Sequence, residues 1–142
     1  MIKRISLGIA MLTILCIPTQ AQSYTDVVWT QIQNAYDNIS DRGYSVKNYI
    51  IGTINEGSDN DWTFYLDSSK EYVFQGFCDE DCEDLDLYLY DSEGNEMDSD
   101  IEEDDYPVVY LDSERSGRYK VSVTMYSCSV EPCYFGLAVF QK

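Results

Sequence analysis

Histidine is missing from this chain altogether. That removes the commonest general base, the commonest zinc ligand and every Ser-His or Cys-His arrangement for nucleophilic catalysis. Positive charge is scarce: nine Lys and Arg stand against 26 Asp and Glu, for a formal net charge of −17. Such a surface repels nucleic acid and anionic lipid and attracts cations or basic proteins. No glycine-rich phosphate loop occurs. Beyond the first residues, no apolar run is long enough to span a bilayer. Neither a nucleic-acid partner nor membrane insertion is therefore expected. The paired carboxylates of a glycosidase are the one catalytic device that acids alone allow. A chain this short leaves little room for a substrate cleft, and no enzyme activity is expected.

The first 21 residues read as a secretion signal. Lys3 and Arg4 precede an apolar stretch, Ile5 to Ile17, and Thr19-Gln20-Ala21 offers the small residues of a cleavage site. Lipidation at Cys16 is a poorer fit, because Leu15 stands where a small residue would precede it. Cleavage after Ala21 would remove two basic residues and no acid, so the exported protein would be more negative still. A secreted or periplasmic location is expected, as is a monomer.

Residues 22–43 should hold one amphipathic helix. Thr25 is a candidate cap, and Val28, Ile32, Ala35, Tyr36 and Ile39 recur at helical spacing before Arg42-Gly43. Core packing explains that stripe more readily than a partner site. From residue 44 to 142 the pattern is β. Trp62, Phe64 and Leu66 alternate with polar neighbours, and Leu85, Leu87 and Leu89 face away from Asp86, Tyr88 and Tyr90. Further short strands follow around Met97–Ile101, Pro107–Leu111, Arg118–Tyr126 and Phe135–Phe140, punctuated by turn residues. The expected fold is an all-β, antiparallel, jelly-roll-like sandwich with one N-terminal helix. The thirteen tyrosines suit half-buried strands, and a sugar-stacking platform would use them too.

In such a sandwich, successive loops alternate between the two ends. One end collects residues 55–61, 79–84, 102–106 and 127–132, which carry many acids and no Lys or Arg. No basic residue occurs between Lys70 and Arg115. Carboxylates this dense repel by about 1 kcal/mol per pair at 4 Å even in water. Protonation, splaying into solvent or a bound cation would each relieve them. Calcium fits best, since it accepts six to eight oxygens in flexible geometry. Asp79-Glu80-Asp81 begins like an EF-hand loop, but Asp84 replaces its glycine and Tyr90 its last glutamate. Ligands would have to come from several loops, with Asp59, Asp61, Asp79, Asp81, Asp84 and Asp104 as candidates.

Cys78, Cys82, Cys128 and Cys133 lie in two of these loops and read as two disulfides. A zinc site is the rival, disfavoured by spacing and by an oxidising compartment. Local pairs would stiffen each loop, whereas crossed pairs would staple the two together. Local pairing is the expectation, and the alternative stays open.

Three segments together resemble a known family. They are DNDW-x-FYL (59–66), YVFQGFCDEDCEDLDLYLYD-x-x-G (72–94) and SGRYKVSV (116–123). They are similar to the bacterial pre-peptidase C-terminal domain, a jelly-roll-like sandwich, over roughly 44–142. The resemblance implies a module that accompanies secreted proteases, with collagen-binding relatives that hold calcium near the start of the fold. Asn55 to Asp61 resembles that region, which singles out Asp59 and Asp61. No protease precedes the domain in this chain, and the cysteine loops are not a general feature of the pattern. Collagen-binding residues find no match here. The leading expectation is an exported calcium-binding module for adhesion to a protein or polysaccharide. The alternatives are a structural or solubilising envelope protein without a ligand, and an inhibitor or chaperone of a basic protein.

Overall fold

The computed structural model describes residues 23–112 and 114–142. The expected signal segment therefore lies outside the described residues. Helix α1 spans Tyr24–Ser40. Eight strands follow: β1 Ser45–Ile54, β2 Asp59–Leu66, β3 Glu71–Cys78, β4 Cys82–Tyr90, β5 Glu96–Asp100, β6 Val108–Asp112, β7 Gly117–Cys128 and β8 Cys133–Gln141. They form two antiparallel four-stranded sheets, ordered β1-β8-β3-β6 and β2-β7-β4-β5. This is the strand order of a jelly roll, so the expected fold class is the observed one.

Alternation builds the main core. Phe64 and Leu66 of β2, Leu85, Leu87 and Leu89 of β4, and Val121, Val123 and Met125 of β7 face inward. Opposite them lie Phe74 of β3, Val109 and Leu111 of β6, and Phe135, Leu137 and Val139 of β8. Strands β3 and β8 are apolar on both faces. Their other sides give Val73, Phe77, Ala138 and Phe140 to a second cluster with Val28, Ile32, Ala35 and Ile39 of α1. Each fully buried aliphatic side chain there contributes about 1.5–3 kcal/mol, which fixes the helix on the outside of the first sheet. Tyr36, although in register with the stripe, is 37 % exposed.

The helix cap differs from the expected Thr25. Ser23 takes the extended backbone conformation, and its hydroxyl accepts from the Asp26 N–H at 3.2 Å. Thr25 stands inside the first turn, where its own N–H is one of the groups needing a cap.

One flank of the sandwich is closed by side chains. Strand β5 ends one sheet and β6 ends the other. Asp98 Oδ2 accepts from the Tyr110 N–H at 2.8 Å, and Asp100 Oδ2 accepts from the Val108 N–H at 2.8 Å. Two carboxylates of one edge thus satisfy outward-facing amides of the other.

Close approach of α1 to β8 depends on Gly136. A Cβ at that position would lie 2.6 Å from Val28 Cγ1 and 3.2 Å from Ile32 Cδ1. Gly136→Ala should therefore overpack this seam and cost about 1–3 kcal/mol, read as a lower urea midpoint. An unchanged midpoint would mean that the helix shifts outward without loss.

Candidate functional site

The four loops at one end are tied to one another through the backbone. The Gly57 N–H donates to the Met125 carbonyl at 2.7 Å, the Ser129 N–H to Asp81 at 2.7 Å and the Leu85 N–H to Asp104 at 2.9 Å. Glu56 Oε2 accepts from the Cys128 N–H at 2.9 Å, and Glu131 Oε1 from the Glu56 N–H at 2.8 Å. The sulfurs bond locally, Cys78 to Cys82 and Cys128 to Cys133. Each pair joins one sheet to the other, because β3 and β8 lie in one sheet and β4 and β7 in the other. Cys82 and Cys128 are direct neighbours in the β4–β7 ladder, so the two clamps sit side by side.

The six expected ligands separate into three situations. Asp79 is 2 % exposed, and both its oxygens are engaged by backbone. Its Oδ1 accepts from Asp81 N–H at 3.3 Å and its Oδ2 from Tyr134 N–H at 2.8 Å. Burial raises its pKa; those two amides pull the other way, and the Asp81 charge adds to the rise. The half-buried Asp81 has its carbonyl engaged by both the backbone and the hydroxyl of Ser129.

Asp59 and Asp61 stand on the outer face of β2. Asp61 ion-pairs with Lys120 at 3.0 Å, both about 44 % exposed. Burial would raise the Asp61 pKa, but the Ser122 hydroxyl and the Lys120 ammonium outweigh it and lower it. Asp59 lies opposite Thr124, which lies opposite Asp86 on the far side of β7. Two strand spacings, about 10 Å, therefore separate Asp59 from Asp86.

Asp84 and Asp104 do come together. The β4–β7 register shifts on both sides of Asp84, and such irregularities re-aim a side chain. The bond from Leu85 N–H to the Asp104 carbonyl holds the 101–107 loop against the same point. Asp84 is 9 % exposed. Burial first, then the charges of Asp86, Glu103 and Asp104, raise its pKa. Asp86, 7 % exposed, is also raised, by burial and by Asp100, against a hydrogen bond from the Tyr88 hydroxyl at 3.4 Å. Asp86 and Glu103 were not among the expected ligands. The only signal in the sequence was the closeness of Asp84 and Asp86 to the acidic loop. Among the described residues, no group of three or more acids or cysteines is arranged so that it could hold a metal ion as it stands.

No protein-family model matches the sequence, and no curated protein matches it either. Among solved structures, the chain is similar to the pre-peptidase C-terminal domain of a collagenase from Bacillus anthracis. The TM-score is 0.52 at 16 % identity, covering 65 % of this chain and 87 % of that one. The sandwich thus has a pre-peptidase C-terminal-like fold, as the three sequence segments implied.

Asp79, Asp84, Asp86 and Asp105 all have pKa values raised above the ordinary 3.8, burial being the first cause in each. Folding therefore takes up protons at these groups. Their contribution to stability grows as pH falls toward 3.8 and is lost as pH rises through their folded values. Asp61, Asp67 and Asp91, whose values are lowered, act oppositely, and their contribution is lost only at lower pH. In chelator, thermal melting should be higher at about pH 5 than at about pH 7. A midpoint that falls over that interval would contradict this assignment.

Proposed function

We propose that this chain is an exported β-sandwich binding module of the adhesion type, with calcium held at its acidic end. The observation that carries this reading is the convergence of four loops at one pole. They are bound together by backbone hydrogen bonds and two disulfides, and they are rich in carboxylates. Oxygen donors of this kind suit a hard cation, and calcium tolerates an irregular set better than magnesium does. Two disulfides fit an oxidising compartment, in keeping with a secreted or periplasmic protein. The pre-peptidase C-terminal-like fold favours a binding role. Exposed aromatics such as Tyr65, Tyr110 and Tyr126 offer contact area for a protein or polysaccharide.

Calorimetric titration of calcium into the chelator-treated protein should give saturable binding, with a dissociation constant on the order of 10⁻⁴ M. At about 1 mM calcium this adds roughly 1.4 kcal/mol of stability, a rise of several degrees in melting midpoint. Absence of both heat and shift at millimolar calcium would remove the ion from the reading. Capture that depends on salt but not on calcium would instead favour a role on a basic protein partner.

A further inference from the structure

Helix α1 packs on one sheet, and the outer face of β2-β7-β4-β5 stays open: Tyr65 and Tyr126 on it are each 68 % exposed. Alternation along β7 puts Arg118 and Lys120 on that face, with Tyr119 turned into the core between them. Register sets Arg118 opposite Tyr65, and Lys120 between Thr63 and Tyr90. Where this row meets the turn after β4, a cavity of about 390 Å³ opens, with Arg118, Lys120, Thr63 and Ser92 in its lining. That size falls in the range of about 300–1,000 Å³ usual for small-ligand sites. The one acid in the lining, Asp91, is already engaged by its own turn. Its Oδ1 accepts from the Glu93 and Asn95 N–H groups, each at 2.9 Å, and its Oδ2 accepts from Asn95 Nδ2 at 2.8 Å. Lys120 is shared with Asp61, whereas Arg118 makes no ion pair among the described residues. An adjoining cavity of about 440 Å³ also carries Glu93, Asp112 and Glu114, which suit an anion poorly.

We propose that the 390 Å³ cavity is a subsite for a carboxylated sugar, a hexuronate unit of an acidic polysaccharide, with Arg118 holding the carboxylate and the neighbouring Tyr65 stacking on the sugar ring. The proposal rests on the adhesion reading above but not on its calcium, and it names the ligand class and the end of the molecule that takes it. A guanidinium presents a planar fork that matches a carboxylate through two parallel hydrogen bonds. Lys120 sits 4.7 Å over the Tyr90 ring and keeps donors beyond the one given to Asp61. Thr63 and Ser92 add hydroxyls that both donate and accept, as sugar hydroxyls require. An extended peptide is a poorer occupant. Strand β7 lies inside its sheet, so its amides pair with β2 and β4 and leave none for a foreign main chain. Recognition therefore falls to side chains, and a tyrosine face with a wet hydroxyl suits an amphipathic ring. The acidic pole does not oppose this. Along β4, Asp84 is about 20 Å from Tyr90. That is more than two Debye lengths of about 8 Å at physiological ionic strength.

The test is titration of the purified protein, in chelator and about 0.15 M salt, with trisaccharides of galacturonic acid and of glucuronic acid, followed by amide chemical shifts. With at least one of the two, the signals of Thr63, Ser92 and Gly94 should move and saturate. The methyl-esterified trisaccharide, which keeps the rings and loses the charge, should bind about 10-fold more weakly or worse. The free acid should lose as much on Arg118→Gln, and several-fold on Tyr65→Ala. Both positions are exposed, so the melting midpoints of these variants should match the parent. Equal binding of acid and ester, or equal binding of the acid to parent and Arg118→Gln, would overturn the anion subsite. A glutamate-rich peptide that binds as tightly as the sugar would overturn the sugar class. No shift with either acid would overturn the subsite as a whole. The calcium titration of the same protein judges the module reading separately, and Arg118→Gln should leave that titration unaltered.

Discussion

Two sheets are joined at one end by very short crossings, and the chemistry of that end follows from this. Only residues 79–81 connect β3 to β4, and only residues 129–132 connect β7 to β8. Each connection leaves one sheet and enters the other, and each is closed by a buried disulfide. Chain in such a tight passage has little freedom to move away from its neighbours. The acidic side chains on these crossings therefore stay close to one another and to the 101–107 loop. A longer, looser connection would let them spread into solvent, where screening would dissolve most of their mutual repulsion.

The dense acids survive largely because the backbone uses them. Carboxylates are strong acceptors, and amides at strand ends and in turns lack ladder partners. Asp79 accepts from the Asp81 amide of its own turn and from the Tyr134 amide at the start of β8, and Asp91 takes the amides of Glu93 and Asn95. Negative charge is in this sense partly a structural reagent. Asp61, paired with Lys120, shows another solution on the outer sheet face. Against these satisfied groups, Asp84 stands apart by having neither amide nor cation on its inner oxygen.

Much of this fold was legible because period-two alternation is an unambiguous signal. Leu85, Leu87 and Leu89 could face only one way, and the loop ends followed from strand direction. Strands β3 and β8 are covered on both sides, and the amphipathic helix, expected only to pack on the core, supplies the outer cover. The cap was misplaced because Ser23 and Thr25 are both good capping residues and only backbone conformation separates them. The site was half legible. Sequence could place Asp84 and Asp104 at the same pole, but the register shifts that flank Asp84 cannot be read from composition. Asp79 looked like a ligand because nothing in the sequence shows that the Tyr134 amide would claim it.

The carboxylate latch between β5 and β6 makes the two flanks of the sandwich unequal. On the latched flank, Asp98 and Asp100 already occupy the amides that an incoming strand would need. Main-chain recruitment of another polypeptide is thereby blocked at β6. On the opposite flank the terminal strands are β1 and β2, where Asn48 Oδ1 accepts from the Tyr49 N–H at 2.8 Å. Addition of a foreign strand through the β6 amides would first have to displace carboxylates that belong to the fold itself.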